Sequence, residues 1–162
     1  MTVTLNLPPD VERAFLAEAQ VRGVSPDECI RELLIARAAS GADAVFEPLW
    51  DKLAAIESAV SHSDWKGESD APNARSLVIA SEILARLKEV AFYPSGIIPS
   101  AEGGIGIYFE QDRKYADIEV LNSGKLLGVT SDRSGTIIPF EVPSSSEGYG
   151  QAITRVRGFF AA

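Results

Sequence analysis

Six residues near the N-terminus alternate strictly between polar and apolar. Val3, Leu5 and Leu7 fall on one side, and Thr2, Thr4 and Asn6 on the other. This period of two predicts a strand with one buried face. Pro8 and Pro9 end it, because neither can donate to a β-ladder and both hold φ near the helical value. A helix is expected from Pro9 to about Arg22, with Asp10 and Glu12 in the first turn, where the macrodipole favours acids. Val11, Phe15 and Ala19, flanked by Leu16, give it one apolar stripe, and Gly23 suits the left-handed residue that stops it. Ser25 then caps a second helix, with Pro26 in the first position and Glu28 completing a capping box. Its buried side is expected to hold Cys29, Ile30, Leu33, Leu34 and Ala36. A lone strand leaves a row of backbone groups unpaired, and two narrow helical stripes cannot bury a useful core. A second copy of the chain removes both problems. Val3, Leu5 and Leu7 would pair with their symmetry mates in an antiparallel ribbon above four helices.

The run "VTLNLPPDVERAFLAEAQVRGVSPDECIRELLIARA" resembles the ribbon–helix–helix family of bacterial DNA-binding proteins, common among the antitoxins of toxin–antitoxin systems. The likeness spans residues 1–39. It implies a homodimer whose ribbon enters the major groove with Thr2, Thr4 and Asn6 against base edges. Their chemistry fits, since Asn can bridge adenine N6 and N7 while Thr can hydrogen-bond or touch a thymine methyl. The resemblance also implies phosphate contact at the start of the second helix, through the backbone of Val24 and Ser25, with Arg22 beside them. The strand departs from many family members in carrying no Lys or Arg. Residues 1–40 hold four basic and six acidic side chains, a net of −2, and phosphate neutralisation supplies much of DNA affinity. Two readings stay open for residues 1–40: operator binding, and dimerisation with no DNA role.

The whole chain of 162 residues has a net charge of −8. That is the balance of an acidic globular protein, and no apolar run is long enough for a membrane span. The N-terminus lacks the charged and apolar regions of a signal peptide, so a cytoplasmic protein is expected. Cys29 is the one cysteine and His62 the one histidine. An internal disulfide and a thiolate metal site are therefore excluded, and acid–base catalysis lacks its usual residue. The expectation is a protein that is not an enzyme, with no catalytic residue, no cofactor and no metal. Cys29 reads as a packed small hydrophobe.

Beyond the ribbon–helix–helix module, residues 41–74 read as a helix plus a polar linker. Phe46, Leu49, Trp50, Leu53, Ile56 and Val60 give a weak stripe, and "SHSDWKGESDAPN" follows. Residues 75–162 read as an α+β domain. A helix capped by Asn73 carries Leu77, Ala80, Ile83, Leu84, Leu87 and Val90 and ends where Tyr93-Pro94-Ser95-Gly96 breaks the pattern. From Gly104 the period becomes two: Ile105, Ile107 and Phe109, then Ala116, Ile118 and Val120 after a turn at 111–114. Asn122-Ser123-Gly124 reads as a hairpin turn, followed by strands over 125–130 and 136–142. Pro139 puts the last of these at a sheet edge. Tyr149, Ile153, Val156 and Phe160 mark a closing helix. The expected fold is α+β, a ribbon–helix–helix followed by helices and a four-stranded antiparallel meander.

Residues 61–162 resemble a group of uncharacterised bacterial proteins. The matching residues are Trp65 and Gly67, then Pro99, Gly103, Gly104 and Ile105, then Ile118, Glu119 and Gly124. That likeness implies a fold unit and no activity. Set beside the antitoxin resemblance, residues 75–162 are expected to bind a toxin or other protein. Glu110, Asp117 and Glu119 share a strand face, but alternating acids suit a solvated sheet better than a cation site. Gly103-Gly104-Ile105-Gly106 lacks the Lys-Ser/Thr of a phosphate loop and leads into a strand, so it reads as a tight turn. His62 and Asp64 lie in the polar linker, where a catalytic triad has no rigid support. Arg155 and Arg157 could meet phosphate or an acidic partner, though cations late in a helix need no such purpose.

Overall fold

A computed structural model describes residues 8–62, 65–66, 70–132 and 135–162. The expected N-terminal strand lies outside them. Two compact units are formed, Met1–Asp43 and Ala44–Ala162.

In the first unit, helix α1 (Pro9–Arg22) begins at its proline and ends on Gly23, whose φ of 67° is left-handed. The Val24 N–H returns to the Ala19 carbonyl at 3.1 Å and closes the cap. Helix α2 (Pro26–Ser61) starts as expected, with Ser25 Oγ accepting the Glu28 N–H at 3.2 Å. Ala19 and Cys29 are buried. Val11, Phe15 and Ile30 are half-buried, and Leu16, Leu34, Ile35 and Ala36 are exposed. Leu34 and Ala36 thus depart from their expected burial. Among the described residues the two helices enclose only a narrow seam around Ala19 and Cys29.

The pattern suggested two helical stretches separated near residue 40, but α2 is continuous across 36 residues. The run Ala38-Ala39-Ser40-Gly41-Ala42 carries no large apolar residue, so no stripe could be read through it. Within the second unit the end of α2 contributes Phe46, Leu49, Leu53 and Ile56 to the core.

Helix α3 (Ala74–Glu89) is capped by a full capping box: Asn73 accepts from the Ser76 N–H while Ser76 Oγ accepts from the Asn73 N–H. The sheet is a five-stranded antiparallel meander, ordered β1 (Gly96–Pro99), β2 (Gly104–Gln111), β3 (Lys114–Leu121), β4 (Leu126–Asp132) and β5 (Ile137–Val142). The expectation of four strands missed β1. Its four residues are too few to show a period, and its pairing with β2 (Ile97 opposite Ile107) defines it. Pro99 closes it at one sheet edge, and Pro139 lies in β5 at the other. Helix α4 (Ser146–Ala161) closes the unit and buries Tyr149, Ala152, Ile153 and Val156. One face of the sheet, with Ile105, Ile107, Ile118, Val120 and Leu126, shares a single core with the three helices. Phe92 stacks on Phe109 with centroids 4.8 Å apart, and Phe160 meets both. Arg86 joins α3 to α4 through the Ser146 carbonyl at 3.0 Å and hydroxyl at 2.6 Å.

Gly104 begins β2 at φ +123°, and a Cβ there would lie 2.0 Å from the Val120 carbonyl oxygen. Gly104→Ala is expected to destabilise the protein by about 2 kcal/mol or more. Gly150→Ala, in α4 with open space around it, should stabilise by about 0.5–1 kcal/mol. Urea unfolding midpoints of the two variants check both signs.

Candidate functional site

The residues expected to read DNA (Thr2, Thr4 and Asn6) and to pair the ribbon (Val3, Leu5 and Leu7) lie outside the described residues. The expected phosphate site at the start of α2 is within them. Arg22 bonds Glu32 through one guanidinium nitrogen, while the other is 3.7 Å from Glu18 and 3.9 Å from Cys29 Sγ. Its pKa is raised above the usual arginine value, chiefly by Glu32. The Val24 N–H is held by Ala19, and the Ser25 hydroxyl caps Glu28. Asp27 and Glu28 occupy the first turn of α2 and already supply the negative charge that a helix N-terminus attracts. To reach phosphate, Arg22 and Val24 must exchange these internal partners for it.

A second cluster lies where the turns of the sheet meet the start of α3. The Asn122 carboxamide oxygen accepts from the Asn73 N–H at 2.8 Å and from Ser76 Oγ at 3.0 Å. Its amide nitrogen donates to the Ala71 carbonyl at 2.9 Å, and the Asn73 side chain donates to the Asn122 carbonyl at 2.9 Å. The Asn122 N–H reaches the Gly103 carbonyl at 3.2 Å. Arg75 packs its guanidinium over Gly124, whose φ is +85°. Buried Ser100 donates to Glu119 and accepts from the Glu102 N–H at 3.1 Å. The structure therefore gathers Pro99, Gly103, Gly104, Glu119 and Gly124, five residues of the second resemblance, at one end of the sheet. Gly67 lies outside the described residues. The bonds of Asn122 fasten the turns of the sheet to the start of α3. The sequence carried no signal for this cluster, because Asn73 and Asn122 meet across 49 residues and no local pattern announces that pairing.

The third place is the open sheet face, where Glu110, Tyr115, Asp117 and Glu119 alternate with core residues. Tyr115 donates to Asp117 at 3.0 Å, and the Val129 N–H donates to the same carboxylate at 3.0 Å. Burial lifts the Asp117 carboxyl above its ordinary value, against the pull of these two bonds. Burial, then the Asp117 charge, pushes Tyr115 up to about 12. No group of three or more His, Cys, Asp or Glu poised for a metal occurs among the described residues. His62 bonds the Ser58 carbonyl at 2.8 Å and is exposed. Arg155 sits 4.8 Å over the Phe140 ring, a packing role. Among the described residues no helix is long and apolar enough to cross a membrane.

Two predictions follow from these geometries. Asn122→Ala removes the carboxamide's bonds to the Asn73 N–H, Ser76 Oγ and the Ala71 carbonyl, leaves the Asn73 N–H with Ser76 Oγ alone, and should lower stability by about 1–3 kcal/mol by denaturant titration. Tyr115 ionises near pH 10 when unfolded but only near 12 in the fold. Its contribution is therefore complete below pH 10 and lost as the pH rises through 12. Tyr115→Phe should flatten the fall in unfolding free energy across that window.

Comparison of the chain with protein-family models, with curated proteins and with solved structures gives no match.

Proposed function

We propose that the chain is a homodimeric ribbon–helix–helix transcriptional regulator of the antitoxin kind. It acts in the cytoplasm, is not an enzyme, and carries a protein-binding domain in residues 75–162. Thr2, Thr4 and Asn6 are its base-edge readers. The observation that carries this reading is the exposure of large apolar residues on α1 and the first part of α2. Leu16 is 47% exposed, Val21 87%, Leu34 57% and Ile35 62%. Four such residues fall within twenty positions of one another, and a second copy would cover them while pairing the alternating strand.

A second reading has its own support. The engagement of Arg22 by Glu32 and Glu18, with Asp27 and Glu28 at the helix start, favours a dimerised protein-interaction module without a DNA role.

One set of measurements separates them. Leu5→Lys should place two charges in the buried ribbon and lower the mass seen by light scattering from dimer toward monomer. A variant that stays dimeric defeats the ribbon. In gel-shift or anisotropy titrations on the protein's own upstream DNA, Asn6→Ala should cost about 1–3 kcal/mol of discrimination and leave random-DNA binding nearly unchanged. Arg22→Ala should weaken all sequences alike and reduce the salt slope by about one. Absence of binding at low salt would remove the operator reading and leave the interaction module.

A further inference from the structure

A groove of about 390 Å³ lies between the last turns of α2 and the start of α3, wholly inside the second unit. Trp50 and Leu53 line it from α2, with Glu57 at the end of the same helical face. Leu77 and Val78 line it from α3, ending in Glu82. Leu53 and Leu77 are buried and form the floor. Val78, at 58% exposure, stands open on the wall, and Trp50 is half-buried. Glu57 and Glu82 are both exposed. Among the described residues no lysine or arginine lines the groove.

Two adjacent helices with an apolar floor form the receiving half of a helix-in-groove contact, because a third helix can lay its ridge of side chains between them. Each wall contributes one carboxylate and no cation, so the complementary ligand is apolar on one face and basic along its flanks. A second copy of this chain does not meet that requirement. A two-fold contact through the groove would set the acidic rim of Glu57 and Glu82 against the same rim of the other copy, and like charges facing each other across an interface oppose association.

We propose that this groove receives a basic amphipathic helix of another protein, with its apolar residues on Trp50, Leu53 and Val78 and its lysines or arginines beside Glu57 and Glu82. This rests on the partner-binding part of the reading above and is independent of DNA. It relocates the contact, since half of the surface comes from α2 and lies before residue 75.

The test uses the full chain and two synthetic helical peptides that share one leucine face, flanked in one by lysines and in the other by glutamates. Binding is followed by calorimetry and by the emission of Trp50 in a Trp65→Phe background. The expected result is saturable binding of the lysine peptide with a blue shift of Trp50, at least tenfold tighter than the glutamate peptide at low salt. The double exchange Glu57→Lys and Glu82→Lys, on exposed positions, should reverse that preference. Equal affinity for the two peptides, or binding of neither, overturns the proposal. Undiminished lysine-peptide binding by the charge-exchanged protein also overturns it, while leaving a partner site elsewhere on residues 75–162. A fall in the mass of the free protein after the exchange would make the groove a contact between copies, and would overturn it too. Operator binding and dimerisation through Leu5 are read separately, so neither outcome hides the other.

Discussion

The carboxamide of Asn122 joins the two layers of the second unit. Its oxygen takes the N–H of Asn73 and the hydroxyl of Ser76, and its nitrogen gives to Ala71. A residue in the turn between β3 and β4 thereby sets where α3 begins and how that helix meets the sheet. The Asn122 N–H on the Gly103 carbonyl ties in the turn between β1 and β2. Once the start of α3 is pinned, Leu77, Ile83, Leu84 and Leu87 face the core side of the sheet, where Ile105, Ile107, Ile118 and Val120 wait. Hydrogen bonds of this kind add little net energy each, but leaving a buried partner unmade costs more than making it gains. The network therefore selects one arrangement of the layers.

Among the described residues the first unit has no comparable network. It buries Ala19 and Cys29, and small side chains supply little hydrophobic free energy at roughly 25 cal/mol per Å². Arg22 pairs with Glu18 and Glu32, and exposed pairs of this sort contribute about 1 kcal/mol or less. Leu16 and Val21 on α1 and Leu34 and Ile35 on α2 stay exposed, and the proposed second copy would give them a core to share.

In the second unit the sheet is covered on one face, while the other displays Glu110, Asp117 and Glu119 with Tyr115 among them. Two of these acids accept hydrogen bonds, Asp117 from Tyr115 and Val129, and Glu119 from Ser100. The groove between α2 and α3 differs, because its floor is apolar and its carboxylates stand at the rim.

Local chemistry determined much of this protein without help from the fold. Proline at Pro9, Gly23 as a left-handed stop, Ser25 and Asn73 as caps, and the alternation through Ile105, Ile107 and Phe109 each depend on backbone geometry or on a face a few residues long, and each stands in the structure as the sequence implied. The structure also shows α2 unbroken through Gly41, where local backbone hydrogen bonding continues although no apolar stripe does. Tertiary structure alone decided three things. It made a strand of Gly96–Pro99, which is too short to carry a period and exists because β2 offers a ladder. It also brought Asn122 to Asn73 across 49 residues and set Trp50 opposite Val78. Such juxtapositions come from how layers pack, and a period of two or of 3.6 carries no information about which distant residue will stand on the other side.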